Sequence, residues 1–119
     1  MLLPLLSGMA YDDVLAQRIH DLLDGVEGTT SRKMFGGLGF MVHGHMAVAA
    51  GSGGALMVRA DPDDAASWLA EGVEPMEMNG RKMQGWLLVA PEVLDSDADL
   101  RVWVDRGVAH VATLPAKQS

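Results

Sequence analysis

Apolar positions near the start of the chain repeat at helical spacing. Val14, Leu15, Ile19, Leu22, Leu23 and Val26 fall close to i, i+4, i+7 and i+8, one face of a 3.6-residue repeat, and predict a helix over residues 12–24. Asp12 and Asp13 stand where the helix dipole favours negative charge, and Gly25 is placed to end the helix. From Arg32 the pattern changes to short apolar runs punctuated by glycine. Leu38–Val42, Met46–Ala50 and Ala55–Arg59 read as strands, joined by His43-Gly44 and by Gly51-Ser52-Gly53-Gly54. Glycine enters the positive-φ region without steric cost, so both joints predict hairpin turns and three antiparallel strands. Asp61-Pro62 opens a second helix, with Asp as N-cap, Pro at the first turn and acids at Asp63 and Asp64. It is expected to run to Glu71 and stop at Gly72. Val73–Met78, Asn79-Gly80 and Lys82–Val89 form another strand–turn–strand unit on the strongest short hairpin signal, Asn-Gly. Leu100, Trp103, Val104, Val108 and Val111 predict a third helix from about Asp97 to Ala112, with Gly107 inside its stripe and Pro115 closing the ordered part.

The element order is therefore α, three strands, α, two strands, α. It predicts a two-layer α+β fold, a five-stranded antiparallel sheet with helices on one face. The other face must then be solvated or bound to something.

Composition sharpens the picture at a few points. The 119 residues suit one domain. The absence of cysteine excludes a disulfide framework, thiolate catalysis and cysteine-ligated metal. A net charge of −7 argues against strong autonomous nucleic-acid binding, which needs cations to neutralise phosphates. Charge is uneven, however. Gly28–Ala60 contains no acid and three cations, Arg32, Lys33 and Arg59, whereas residues 61–119 hold eleven acids against five cations. Nine methionines are many for this length, and seven lie in the strand half: Met34, Met41, Met46, Met57, Met76, Met78 and Met83. Such residues fill cores or make adaptable binding surfaces. Residues 1–8, MLLPLLSG, lack a basic n-region and are interrupted by Pro4, so they read as an upstream extension or alternative start. The domain is expected over 9–115, with 116–119 as a tail. No segment is long and apolar enough to be membrane-spanning, and a cytoplasmic location is expected.

Catalysis finds no local motif. The chain has no G-x-S-x-G elbow, no H-E-x-x-H and neither Gly-rich phosphate-loop spacing, and Gly36-Gly37-Leu38-Gly39 reads as a bend at a strand start. No catalytic residue and no cofactor are predicted, and an enzyme is not the favoured answer. Met41-Val42-His43-Gly44-His45-Met46 places two imidazoles and two thioethers within one turn, a soft donor set that suits Cu(I). His43 and His45 are thus the alternative metal ligands, set against a structural His-Gly turn. Arg32, Lys33, Arg59 and Arg81 are the polar binding candidates, for a carboxylate, phosphate or acidic protein surface.

Ser31-Arg32-Lys33-Met34-Phe35-Gly36-Gly37-Leu38-Gly39-Phe40-Met41 resembles the signature of the TfoX N-terminal domain (TfoX/Sxy) family. Leu56-Met57-Val58-Arg59, Gly80-Arg81-Lys82-Met83-Gln84-Gly85-Trp86 and Leu100-Arg101-Val102-Trp103-Val104 extend the likeness, in order, across residues 11–115. The resemblance implies a two-layer α+β fold shared with secretion chaperones. It also implies a part in regulating natural competence, as a transcriptional co-activator beside a DNA-binding partner of the cyclic-AMP receptor class. Those regulators carry a second, C-terminal domain, and the likeness here is to their N-terminal domain. The family usually has Asn-Gly-Asn-like residues at the turn where this chain has His43-Gly44-His45. The resemblance brings no catalytic residues with it. The expectation is therefore a non-enzymatic, regulatory protein-interaction domain. Its binding surface is the sheet with Arg32, Lys33, Phe35, Arg59 and Arg81, its partner is a protein, and it self-associates as a homodimer where that face needs covering.

Overall fold

The computed structural model describes residues 12–34, 37–78 and 80–115. Phe35, Gly36 and Asn79, the extension at 1–8 and the tail at 116–119 lie outside the described residues. The elements are α1 (Asp13–Leu22), β1 (Thr29–Met34), β2 (Gly37–Val42), β3 (His45–Ala50), β4 (Leu56–Arg59), α2 (Pro62–Ser67), β5 (Val73–Met78), β6 (Arg81–Val89) and α3 (Asp97–Ala112). The strands form one antiparallel sheet in the order β1-β2-β3-β4-β6-β5. The fold is the expected α+β arrangement with one strand more. The additional strand is β1, Thr-Thr-Ser-Arg-Lys-Met, which carries no apolar alternation because as an edge strand it buries little.

Register lines the residues up in rows across all six strands. On the helix side one row runs Lys33, Leu38, Ala50, Leu56, Val89, Val73, and the next runs Ser31, Phe40, Val48, Val58, Leu87, Pro75. Away from the edges these rows are apolar. They meet Leu15, Ala16, Ile19 and Leu23 from α1, Ala65 from α2, and Leu100, Trp103 and Val104 from α3 in one core. All three helices therefore cover the same face of the sheet. Among the described residues, no helix is long and apolar enough to cross a membrane.

Local chemistry sets the helix starts. Asp12 Oδ1 accepts from the Leu15 N–H at 2.8 Å, Asp61 Oδ1 from the Asp63 N–H at 2.9 Å, and Ser96 Oγ from the Asp99 N–H at 3.1 Å. Each such cap is worth about 1 kcal/mol. The second helix ends at Ser67, earlier than Glu71. Trp68 turns off its end to meet Trp103 edge-on at 6.0 Å between ring centroids, and Arg106 lies over both rings, 4.3 Å from Trp68 and 4.5 Å from Trp103. The Arg18 guanidinium fastens α1 to the start of α3, donating to the Leu94 carbonyl at 2.9 Å and to Asp97 Oδ1 at 3.1 Å.

The third helix runs unbroken through Gly107, which is buried against β3. A Cβ at that position would lie 2.4 Å from the Ala47 carbonyl oxygen. The glycine is therefore what lets helix and strand approach so closely.

Candidate interaction surface

The opposite face of the sheet carries no helix among the described residues. Its central row runs Arg32, Gly39, Ala49, Met57, Leu88, Glu74 across the six strands, a cation at one edge, a carboxylate at the other and apolar residues between. Leu88 is 39% exposed, although leucines in strands are usually buried. A second pair on this face is Met41 and Met46, opposite each other on β2 and β3, and a third is Arg59 and Trp86 on β4 and β6. The Met46 thioether lies over Gly39, whose Cβ, were one present, would meet the sulfur at 2.9 Å. The Arg59 guanidinium sits 6.0 Å from the centre of the Trp86 ring. Met41, Met46 and Met57 thus lie on the helix-free face and are half-buried.

The basic candidates do not form one cluster. Arg32 and Arg59 share the helix-free face, separated by three strand spacings, about 14 Å across the sheet. Lys33 is the next residue along β1 and so belongs to the helix side, in the row of Leu38. Arg81 pairs with Met78 beside the turn at the far end of the β5–β6 hairpin. A single anion would meet at most one of them closely.

The turn at 43–44 is built as the sequence suggests and resolves the imidazoles. His43 has φ 52° and Gly44 φ 87°, two consecutive left-handed residues closing the Val42–His45 pair, as a two-residue I′ hairpin requires. Side chains alternate across the sheet, so Val42 and His45 face the helices while Met41 and Met46 face away. His45 Nε2 is hydrogen-bonded at 2.6 Å to the Pro115 carbonyl just beyond α3. The His43 ring lies over Gly28, whose carbonyl accepts from the His43 N–H at 3.0 Å. The structure therefore does not bring Met41, His43, His45 and Met46 together as a donor set. Among the described residues, no group of three or more His, Asp or Glu side chains is arranged to hold a metal ion.

Among the described residues, two hollows stand out beside the sheet. One, of about 220 Å³, lies between the C-terminal end of α1 and β1, floored by Leu23, Val26 and Phe40 and rimmed by His20, Asp24 and Ser31. The other, of about 480 Å³ and wide open, lies between α2 and the β5–β6 arm and includes Leu69, Pro75, Met83 and Trp86. Neither was signalled by the sequence: each forms between elements that follow one another along the chain, and only their packing opens it.

Among the described residues, a single antiparallel sheet with its helices on one side defines a two-layer α+β domain. The TfoX N-terminal domain model matches residues 21–111, most of the chain, and the protein belongs to that family. No match to a curated protein is found.

Proposed function

We propose that this protein is a non-enzymatic, cytoplasmic regulatory domain of the competence type, working by binding another protein through its helix-free sheet face. The observation that carries this reading is the row Arg32–Gly39–Ala49–Met57–Leu88–Glu74. A large exposed leucine and adaptable thioethers occupy the middle of a sheet face, with fixed charges of opposite sign at its ends. Family membership supports the regulatory part. The acidic balance of the chain supports a protein partner over a nucleic acid.

The test is co-purification of the tagged chain from host lysate, with and without nuclease, beside Leu88→Glu, Met57→Glu and Arg59→Glu variants whose melting temperatures match the parent. A nuclease-resistant partner that binds the parent and is lost from the apolar-to-Glu variants supports the proposal. A partner retained by all three variants, or recovery of the chain alone, refutes it. Self-association through this face would appear as a dimer by light scattering that Leu88→Glu dissolves.

A further inference from the structure

The two edges of the sheet are built differently. At one edge, β5 carries Pro75, which has no N–H to donate, a register break between Pro75 and Glu77, and the carboxylates of Glu74 and Glu77. These are recognised devices for preventing strand addition. At the other edge, β1 has no proline and no bulge, and it pairs with β2 over six consecutive residues, Thr29–Val42 to Met34–Gly37. Thr30, Ser31, Arg32 and Lys33 are exposed.

The pairing pattern shows which backbone groups turn away from β2. In an antiparallel ladder, alternate residues turn both N–H and C=O toward the neighbouring strand and the others turn both away. The Gly28 carbonyl accepts from the His43 N–H, and the two-residue turn commits Val42 to β3. The alternation then points Thr30, Arg32 and Met34 at β2, and leaves Thr29, Ser31 and Lys33 with N–H and C=O directed outward.

Two further features sit on the same edge. The hollow of about 220 Å³ opens beside Thr29, Thr30 and Ser31 on the helix side, with Leu23, Val26 and Phe40 beneath. At roughly 30 Å³ per water it holds about seven waters, enough for one medium apolar side chain. Arg32 on one face and Lys33 on the other give the edge two cations with no carboxylate within 4.0 Å among the described residues.

We propose that β1 is a strand-acceptor edge. It takes an extended segment of a partner protein that hydrogen-bonds to Thr29, Ser31 and Lys33, places acidic side chains beside Arg32 and Lys33, and inserts an apolar side chain into the hollow under Phe40. Main-chain bonds supply the affinity of such additions, and the pocket for an alternate side chain supplies the selectivity. A second copy of this chain is a poor occupant. An antiparallel β1–β1 pair centred on Ser31 would bring Arg32 and Lys33 of both copies to one seam with no carboxylate on either strand to meet them, and the copy's β5 is closed by Pro75. This edge shares Arg32 with the helix-free face but none of that face's apolar residues, and the inference does not rest on that face being used.

The probe is a phage-displayed library of random octapeptides panned against the full chain. The expected winners are acidic, with an apolar residue at a position alternating with the acids. On addition of the winning synthetic peptide, hydrogen exchange should slow at least tenfold at Thr29, Ser31 and Lys33 together, while Thr30, Arg32 and Met34 are protected already in the free protein. Ser31→Pro removes one outward N–H and leaves the β1–β2 ladder whole, and should weaken binding at least tenfold. The double variant Arg32→Glu, Lys33→Glu should weaken it by about tenfold. Leu88→Glu should leave it unchanged, which separates this site from the helix-free face. A library that enriches nothing overturns the proposal. So do binders that protect amides elsewhere, or binders indifferent to both the charge reversal and N-methylation of alternate peptide residues.

Discussion

Replacing Gly107 by alanine tests the packing of helix on sheet most directly. Within a helix that change normally stabilises by about 0.8–1 kcal/mol, because glycine loses more backbone entropy on folding. Here the new Cβ would stand 2.4 Å from the Ala47 oxygen, 2.9 Å from Val48 Cγ1 and 3.1 Å from the Ala47 carbonyl carbon. An ordinary carbon–oxygen approach is about 3.3 Å, so α3 must retreat by roughly 0.9 Å from β3. The obstacle is backbone and cannot rotate away, which places the cost at the upper end of the 1–3 kcal/mol typical of overpacking, or beyond it. After the propensity gain, a net destabilisation of about 1–3 kcal/mol is expected, with the melting temperature lower by roughly 4–12 °C for a domain of this size. Thermal melts followed by circular dichroism, with urea titrations of equal m-value, measure it. Gly25→Ala is the control, since a Cβ there meets nothing within 4 Å. A Gly107→Ala protein as stable as the parent, or more so, would refute the close-approach argument.

Removing Arg106 takes a cation from between two indole rings, so Arg106→Ala should cost about 1–2 kcal/mol in urea unfolding, and Arg106→Lys less. Gly28 has φ 83° and would meet the His43 ring, so Gly28→Ala should destabilise by about 1–2 kcal/mol or more. Adding His43→Ala should recover the steric share and leave the backbone share, which a double-mutant cycle separates. Arg18→Ala should cost roughly 0.5–1.5 kcal/mol through the Leu94 carbonyl, whereas Asp97→Ala should cost under about 0.5 kcal/mol, because the Asp97 side chain is 93% exposed.

Elements that bury one face were legible in the sequence. The stripe Leu15, Ile19, Leu23 and the stripe Leu100, Trp103, Val104, Val111 mark their helices because those residues are the core. The hairpin at His43-Gly44 could be read because left-handed backbone has few occupants, and the structure puts both residues there. By contrast, β1 left no hydrophobic trace. Thr29 and Thr30 favour strand, yet Ser31, Arg32 and Lys33 give a periodicity search nothing to detect. The end of α2 was overrun for a related reason. Trp68 and Leu69 continue a helical pattern, but Trp68 finds a better contact across the layer with Trp103.

The candidate surface was half legible. An acid-free, methionine-rich strand region and a helix-free sheet face could both be anticipated. Which cations share that face could not, because adjacent residues such as Arg32 and Lys33 part to opposite sides once the register is set. The two hollows were hidden for another reason: each depends on the angle at which neighbouring elements pack, which leaves no residue pattern.

The distribution of the three tryptophans gives the molecule two optical channels. Trp68 and Trp103 face one another inside the helix layer beside Arg106, so their emission follows unfolding. Trp86 stands on the far side of the sheet with Arg59, so its emission follows whatever settles there. A chain with Trp68 and Trp103 changed to phenylalanine would report occupancy of the open face without an attached dye. Its complement, with Trp86 alone replaced, would report only whether the domain is folded.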